Sequence, residues 1–146
     1  MRLILTYVLA FPAALVAAWG SALILARVTG RLDLWRNQPN QLFFFVWGIR
    51  SDSGSQGVTW EIAAALTRAT GAFAAARLVF WALAVPPRVF FAVSLVALEA
   101  LRHLRRLRLV GHVPMSVPSE IRSLHHFRAA AGIAIYAVVA LVFIRL

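Results

Sequence analysis

The chain has 146 residues, of which 62% are hydrophobic and 14% charged. Soluble domains average roughly 45–50% apolar and about 25% charged residues, so this composition cannot furnish the polar surface of a water-soluble fold and points to one membrane domain. The net charge of +10 comes from fifteen cations, all Arg, against five acids; the lack of Cys excludes disulfides and thiolate chemistry, and the lack of Lys excludes Schiff-base chemistry.

The first apolar run, Leu3 to Ala26, holds 24 residues without a charge. A helix needs about 20 residues to cross the hydrocarbon core, so residues 3–26 are predicted as a transmembrane helix. Arg27 follows at once and the run exceeds the apolar core of a cleaved signal peptide, which marks it as an uncleaved anchor. Residues 27–59 read as a polar loop. Within it, Phe43, Phe44, Phe45 and Trp47 form an aromatic island too short to span and suited to the headgroup layer.

Residues 60–101 admit two arrangements. Thr59 can cap a helix starting at Trp60-Glu61, and Gly71, Ala72 and Ala76 give it a small-residue face for close packing on another helix. Arg68 and Arg77, nine residues apart, point to opposite faces, and with Arg88 they are read as intramembrane charges. Either 60–101 is one long helix kinked at Pro86-Pro87, crossing once, or those prolines turn a helical hairpin. The single crossing is preferred, because the second leg of a hairpin, Val89 to Leu101, has only 13 residues before Arg102. It places Arg88 near the middle of the membrane at a cost of about 2.5–3.5 kcal/mol.

Residues 102–128 form an Arg-rich segment. Arg102, Arg105, Arg106 and Arg108 alternate with Leu at helical spacing, Gly111, Pro114 and Pro118 break the helix, and Ser119-Glu120 restarts it. The positive-inside rule places this loop in the cytoplasm. Charge does not decide on which side 27–59 lies. Residues 129–144 are 16 apolar residues that span with Arg145 snorkelling, and Tyr136 among them needs a hydrogen-bond partner. The predicted fold is therefore all-α and polytopic, with three, possibly four, transmembrane helices and interfacial amphipathic helices.

The chemistry-bearing residues point away from catalysis. Of the acids only Glu61 and Glu99 approach an apolar span, and Arg102 is placed to pair with Glu99 at i+3. His125 and His126 are adjacent and diverge by about 100° on a helix, while His103 and His112 lie among Arg that would repel a metal cation. No cofactor and no metal is expected. The expected contacts of Arg102, Arg105, Arg106, Arg108, Arg122 and Arg128 are anionic lipid headgroups or another membrane-protein subunit. Direct nucleic-acid binding is not expected, because no aromatic residue is interleaved to stack on bases. With only Asp33, Asp52 and Glu61 on the side of the intramembrane arginines, some of their partners are expected on another subunit.

Several of these positions together resemble a family of small inner-membrane proteins carried by integrating conjugative elements and conjugative plasmids. The resemblance runs through Phe11-Pro12, Gly20-Ser21, Trp35, Pro39, Trp60-Glu61, Arg77, Pro86, Glu99, the arginines at 102–108, Glu120, His126, Arg128 and Ala129. The chain departs from that pattern in its short 27–59 region and in Glu99-Ala100 where an Asp-Gly step is usual. The resemblance implies a bacterial inner-membrane location and an accessory role beside type IV secretion parts, with no catalytic residue. The alternatives carried forward are a holin-like pore former and an accessory subunit of a respiratory or photosynthetic complex.

Overall fold

Apolar runs of more than 20 residues have no way to satisfy their backbone in lipid other than as helices, and among the described residues the regular structure is all helix. The computed structural model describes residues 1–29, 55–111 and 119–145, and the side chains of 1–29, 62–105 and 126–145. It contains α1 (Arg2–Val28), α2 (Ser55–Ala82), α3 (Val89–Gly111) and α4 (Ser119–Arg145), with no strand among the described residues. Three stretches are long and apolar enough to cross a membrane: Arg2–Val28, Ile62–Ala82 and His126–Arg145. The aromatic island at 43–47 and the rest of 30–54 lie outside the described residues.

The preferred arrangement of 60–101 as one long kinked helix is corrected. Residues 60–101 are two helices, because α2 stops at Ala82 and α3 starts at Val89. The stop is a Schellman turn: Val85 N–H donates to the Phe80 carbonyl at 2.9 Å and Ala84 N–H to the Trp81 carbonyl at 3.0 Å. Ala84 takes the left-handed conformation there, at φ 52°. Pro86 and Pro87 follow and cannot re-enter the helix. The turn reverses the chain, so that Phe80 stacks on Phe91 and Arg68 reaches Glu99. Arg88 is consequently exposed in the turn, not buried at mid-membrane.

Two boundaries also move. Helix α2 begins at Ser55, ahead of the expected start at Trp60, and the stretch 102–128 is helical at both ends, since α3 runs on to Gly111 and α4 restarts at Ser119. The restart at Ser119 is where it is expected; the expected break around Pro114 and Pro118 lies outside the described residues.

Cross-helix contacts give the directions. Tyr7 meets Phe80 while Gly71 faces Ser21, so α1 and α2 are antiparallel. His103 lies on Gly132 while Phe91 meets Phe143, so α3 and α4 are antiparallel as well. Helices α1 and α3 thus run one way, and α2 and α4 the other. The N-terminus, the 83–88 turn and Arg145 share one end of the bundle. The chain leaves α1 and enters α2 at the opposite end, where it also passes from α3 to α4. Close backbone packing joins α1 to α2, α2 to α4 and α4 to α3.

Along the seam between α1 and α2, side-chain size is distributed inside out. The buried face of α1 is Thr6, Ala10, Ala14, Ala22 and Ala26, set at multiples of four residues, and it meets Ala65, Ala69, Ala72 and Ala76 of α2, all buried. Small residues at this spacing let backbones approach closely. The bulky residues face outward instead, among them Ile4, Val8, Val16, Ile24, Leu78 and Trp81. Thr6, Ser21, Thr67 and Ser94 each donate to the carbonyl four residues back, so these hydroxyls are satisfied within their own helices.

Candidate functional site

The turn end of the bundle is filled with aromatic rings. Tyr7, Phe11, Phe80, Phe91 and Phe143, drawn from all four helices, stack with centroid separations of 4.7 to 6.3 Å. Tilted and edge-on contacts of this kind add to packing, and they hold α1 against α3 at this end.

Toward the other end the interior turns polar. Glu99 on α3 is 5% exposed and accepts from three side chains. Arg102 grips it with both Nε, at 2.9 Å from Oε2, and Nη2, on Oε1. Arg68 reaches across from α2 to Oε1 at 3.4 Å, and His103 Nε2 lies 3.0 Å from the same oxygen. Burial works against the ionised carboxyl, but the hydrogen bond from His103 and the charge and hydrogen bonds of Arg102, with the charge of Arg68, hold it well below the usual carboxylate range. An ionised Glu99 only accepts, so His103 Nε2 is the donor in that bond. Arg68 donates a hydrogen bond to the Tyr136 hydroxyl of α4, which supplies the partner that this residue needs within an apolar run.

His103 is seated by a glycine. A Cβ at position 132 would lie 2.6 Å from His103 Nε2, so Gly132 makes the space that lets the imidazole lie between α3 and α4. The expectation of His103 as a loop residue among repelling arginines is corrected: it is buried, and it donates to a carboxylate.

Between α1 and α3, beside this cluster, lies an elongated groove of about 690 Å³. Its walls are Ala14, Ala18 and Ala22 on α1 against Leu95, Leu98 and Leu101 on α3. Ala72 and Tyr136 form its floor, and Arg68, Glu99, Arg102 and Arg105 sit at its charged end. The groove exists because α1 carries alanine where α3 carries leucine, and because the two helices meet through aromatic rings only near the turn.

The sequence-predicted residues are distributed as follows. Arg102 and Arg105 lie at the charged end of the groove, joined there by Arg68. Arg128 is buried, at 3% exposure. The side chains of Arg106, Arg108 and Arg122 lie outside the described residues. Gly71, Ala72 and Ala76 pack inside the chain, with Gly71 against Ser21 and Ala17 of α1, so this face is consumed by α1 and is not offered to another subunit. Arg77 is half-buried on α2. The expectation that some partners of the intramembrane arginines lie on another subunit does not hold for Arg68, whose carboxylate is Glu99 of the same chain. Reading along the chain missed His103 as a member of the site, although Glu99 and His103 stand at i, i+4 on one helix face; the part played by Gly132 left no local signal. No group of three or more His, Asp or Glu suited to a metal occurs among the described residues.

No protein-family model, curated protein or solved structure matches the chain.

Proposed function

We propose that this chain is a non-enzymatic, multi-pass subunit of a larger assembly in the bacterial inner membrane, an accessory component of a conjugative type IV secretion apparatus like the family it resembles. The observation that carries the membrane reading is the inside-out distribution of size, with alanine buried and Leu, Ile, Val and Trp exposed along α1 and the outer faces of α2 and α4. In water that surface would be prohibitive; in hydrocarbon it is ordinary. The conjugative setting rests on the residue pattern alone.

Orientation follows from the antiparallel helices. The sequence segments 27–61 and 99–125 join helix ends on the same side and contain nine of the fifteen Arg, so by the positive-inside rule that side is assigned to the cytoplasm and the 83–88 turn to the outside. Because Gly71, Ala72 and Ala76 are used within the chain, contacts to neighbouring subunits fall to the bulky outer faces and to the Arg-rich stretch 102–128.

Gentle extraction from native membranes, followed by cross-linking and mass analysis, tests the reading. Recovery in a complex with other membrane proteins is expected, and a lone monodisperse monomer would overturn it. Induced expression separates it from the pore-former: abrupt growth arrest with loss of membrane potential would favour a holin.

A further inference from the structure

The half of the bundle near the 83–88 turn carries cations and no anion of its own. Residues 1–16, 70–98 and 130–146, which build that half, hold Arg2, Arg77, Arg88 and Arg145 and not one Asp or Glu. Arg77 is half-buried and already engaged. The other three are exposed, and their guanidinium groups have no ion pair or hydrogen bond among the described residues. They come from the start of α1, the turn and the end of α4, and these three places meet at one end of the bundle. The far end differs, because Glu99 answers Arg68 and Arg102 there from within the chain. At the turn end the neutralising charge has to come from outside.

The side chains beside these arginines identify its source. Each arginine lies within three residues of large apolar side chains that face outward: Ile4 after Arg2, Val89 and Phe90 after Arg88, and Val142 before Arg145. Trp81, in the last turn of α2, is 79% exposed at the same end. Arginines and a Trp at the edge of an apolar outer surface are the pattern of a membrane–water boundary. There a guanidinium reaches lipid phosphate while its stem stays among the acyl chains. An acidic protein seated on the end of the bundle would meet the tips of the arginines and leave Trp81, Phe90 and Ile4 outside its footprint. A lipid leaflet takes up both. Three unanswered positive charges also require lipid of net negative charge, since a zwitterionic headgroup brings its own cation to the phosphate.

We propose that Arg2, Arg88 and Arg145 form a collar at the turn end that gathers anionic phospholipid, with the guanidinium groups on headgroup phosphates and Trp81 and Phe90 setting the depth. This rests on the membrane reading above and extends it to the leaflet opposite the Arg-rich stretch 102–128. Under the orientation assigned above that is the outer leaflet, the side the positive-inside rule leaves poorer in cations. The three arginines are spread around the rim, so the collar enriches exchanging lipids and does not trap a single molecule.

The test places a fluorophore on Val89→Cys, next to Arg88, in the full chain, which has no native Cys. The labelled protein is reconstituted in dioleoyl phosphatidylcholine vesicles containing a minor fraction of phosphatidylglycerol or phosphatidylcholine spin-labelled near the headgroup, and quenching by the two is compared. Phosphatidylglycerol is expected to be enriched about fivefold at the label, as one juxtamembrane arginine per lipid supplies. Arg2→Gln, Arg88→Gln and Arg145→Gln together should bring the ratio to about one, and the corresponding Lys substitutions should keep the preference. None of the three guanidinium groups has a partner to lose, so helicity by circular dichroism should be unchanged in both variants. Equal quenching by the two lipids, or a preference that survives the triple Gln substitution, would overturn the proposal. Equal quenching together with binding of polyglutamate at the label would assign the collar to an acidic protein partner, which also overturns it. Failure of either lipid to quench would remove the membrane reading itself, whereas equal quenching removes the collar alone.

Discussion

The two ends of the bundle are held by different physics. At the turn end, rings from all four helices fill the interior and Phe80 and Phe91 are completely buried. At the other end, one carboxylate gathers Arg68, Arg102 and His103, and α1 stands away from α3 to leave the groove. In lipid there is no hydrophobic gain from hiding a side chain, since the solvent is as apolar as the interior. Contact and charge pairing are what remain. The aromatic end relies on the first and tolerates loss by degrees, while the charged end relies on the second, where removal of one member leaves the others uncompensated.

Glu99→Ala should therefore be the most damaging change, costing about 3–5 kcal/mol because it strands two buried guanidinium groups; reversible unfolding in mixed SDS micelles measures it. Phe91→Ala should cost less, about 2 kcal/mol, because only the cavity part of the usual penalty survives when the unfolded reference is also in hydrocarbon. If the two losses proved equal, the contrast between the ends would fail. Gly132→Ala should cost about 1–2 kcal/mol by pushing His103 off Glu99, and the loss should shrink in a His103→Ala background, which a double-mutant cycle reads directly. Ala84→Gly should stabilise by about 0.5–1 kcal/mol, since Gly holds the left-handed conformation of the Schellman turn without strain; the same unfolding assay detects the gain.

Much of the secondary structure was legible from local pattern. The apolar run at 3–26, the restart at Ser119 and the break at Pro86-Pro87 are each announced by the residues that make them, because helix length, capping and proline act within a few residues. The small-residue face at Gly71, Ala72 and Ala76 was also visible, but whether α1 or a foreign helix would cover it was not. The pairing of Arg68 with Glu99, 31 positions away, hung on a choice that the local signals left nearly balanced: kink or reversal at the prolines. The shortness of the second leg before Arg102 argued for one continuous helix, and that argument failed because α3 runs on through the arginines to Gly111, with Arg102 paired to Glu99.

The sequence by itself determined which stretches are helical and which are long and apolar enough to cross a membrane, since both depend on composition and spacing along the chain. Only the tertiary structure decided which faces are spent internally, which carboxylate answers Arg68, and that a groove remains between α1 and α3. Those outcomes depend on chain reversal at 83–88, which brings together side chains that no spacing rule relates. A glycine at 132 that seats a histidine from another helix is meaningful only once the two helices lie side by side.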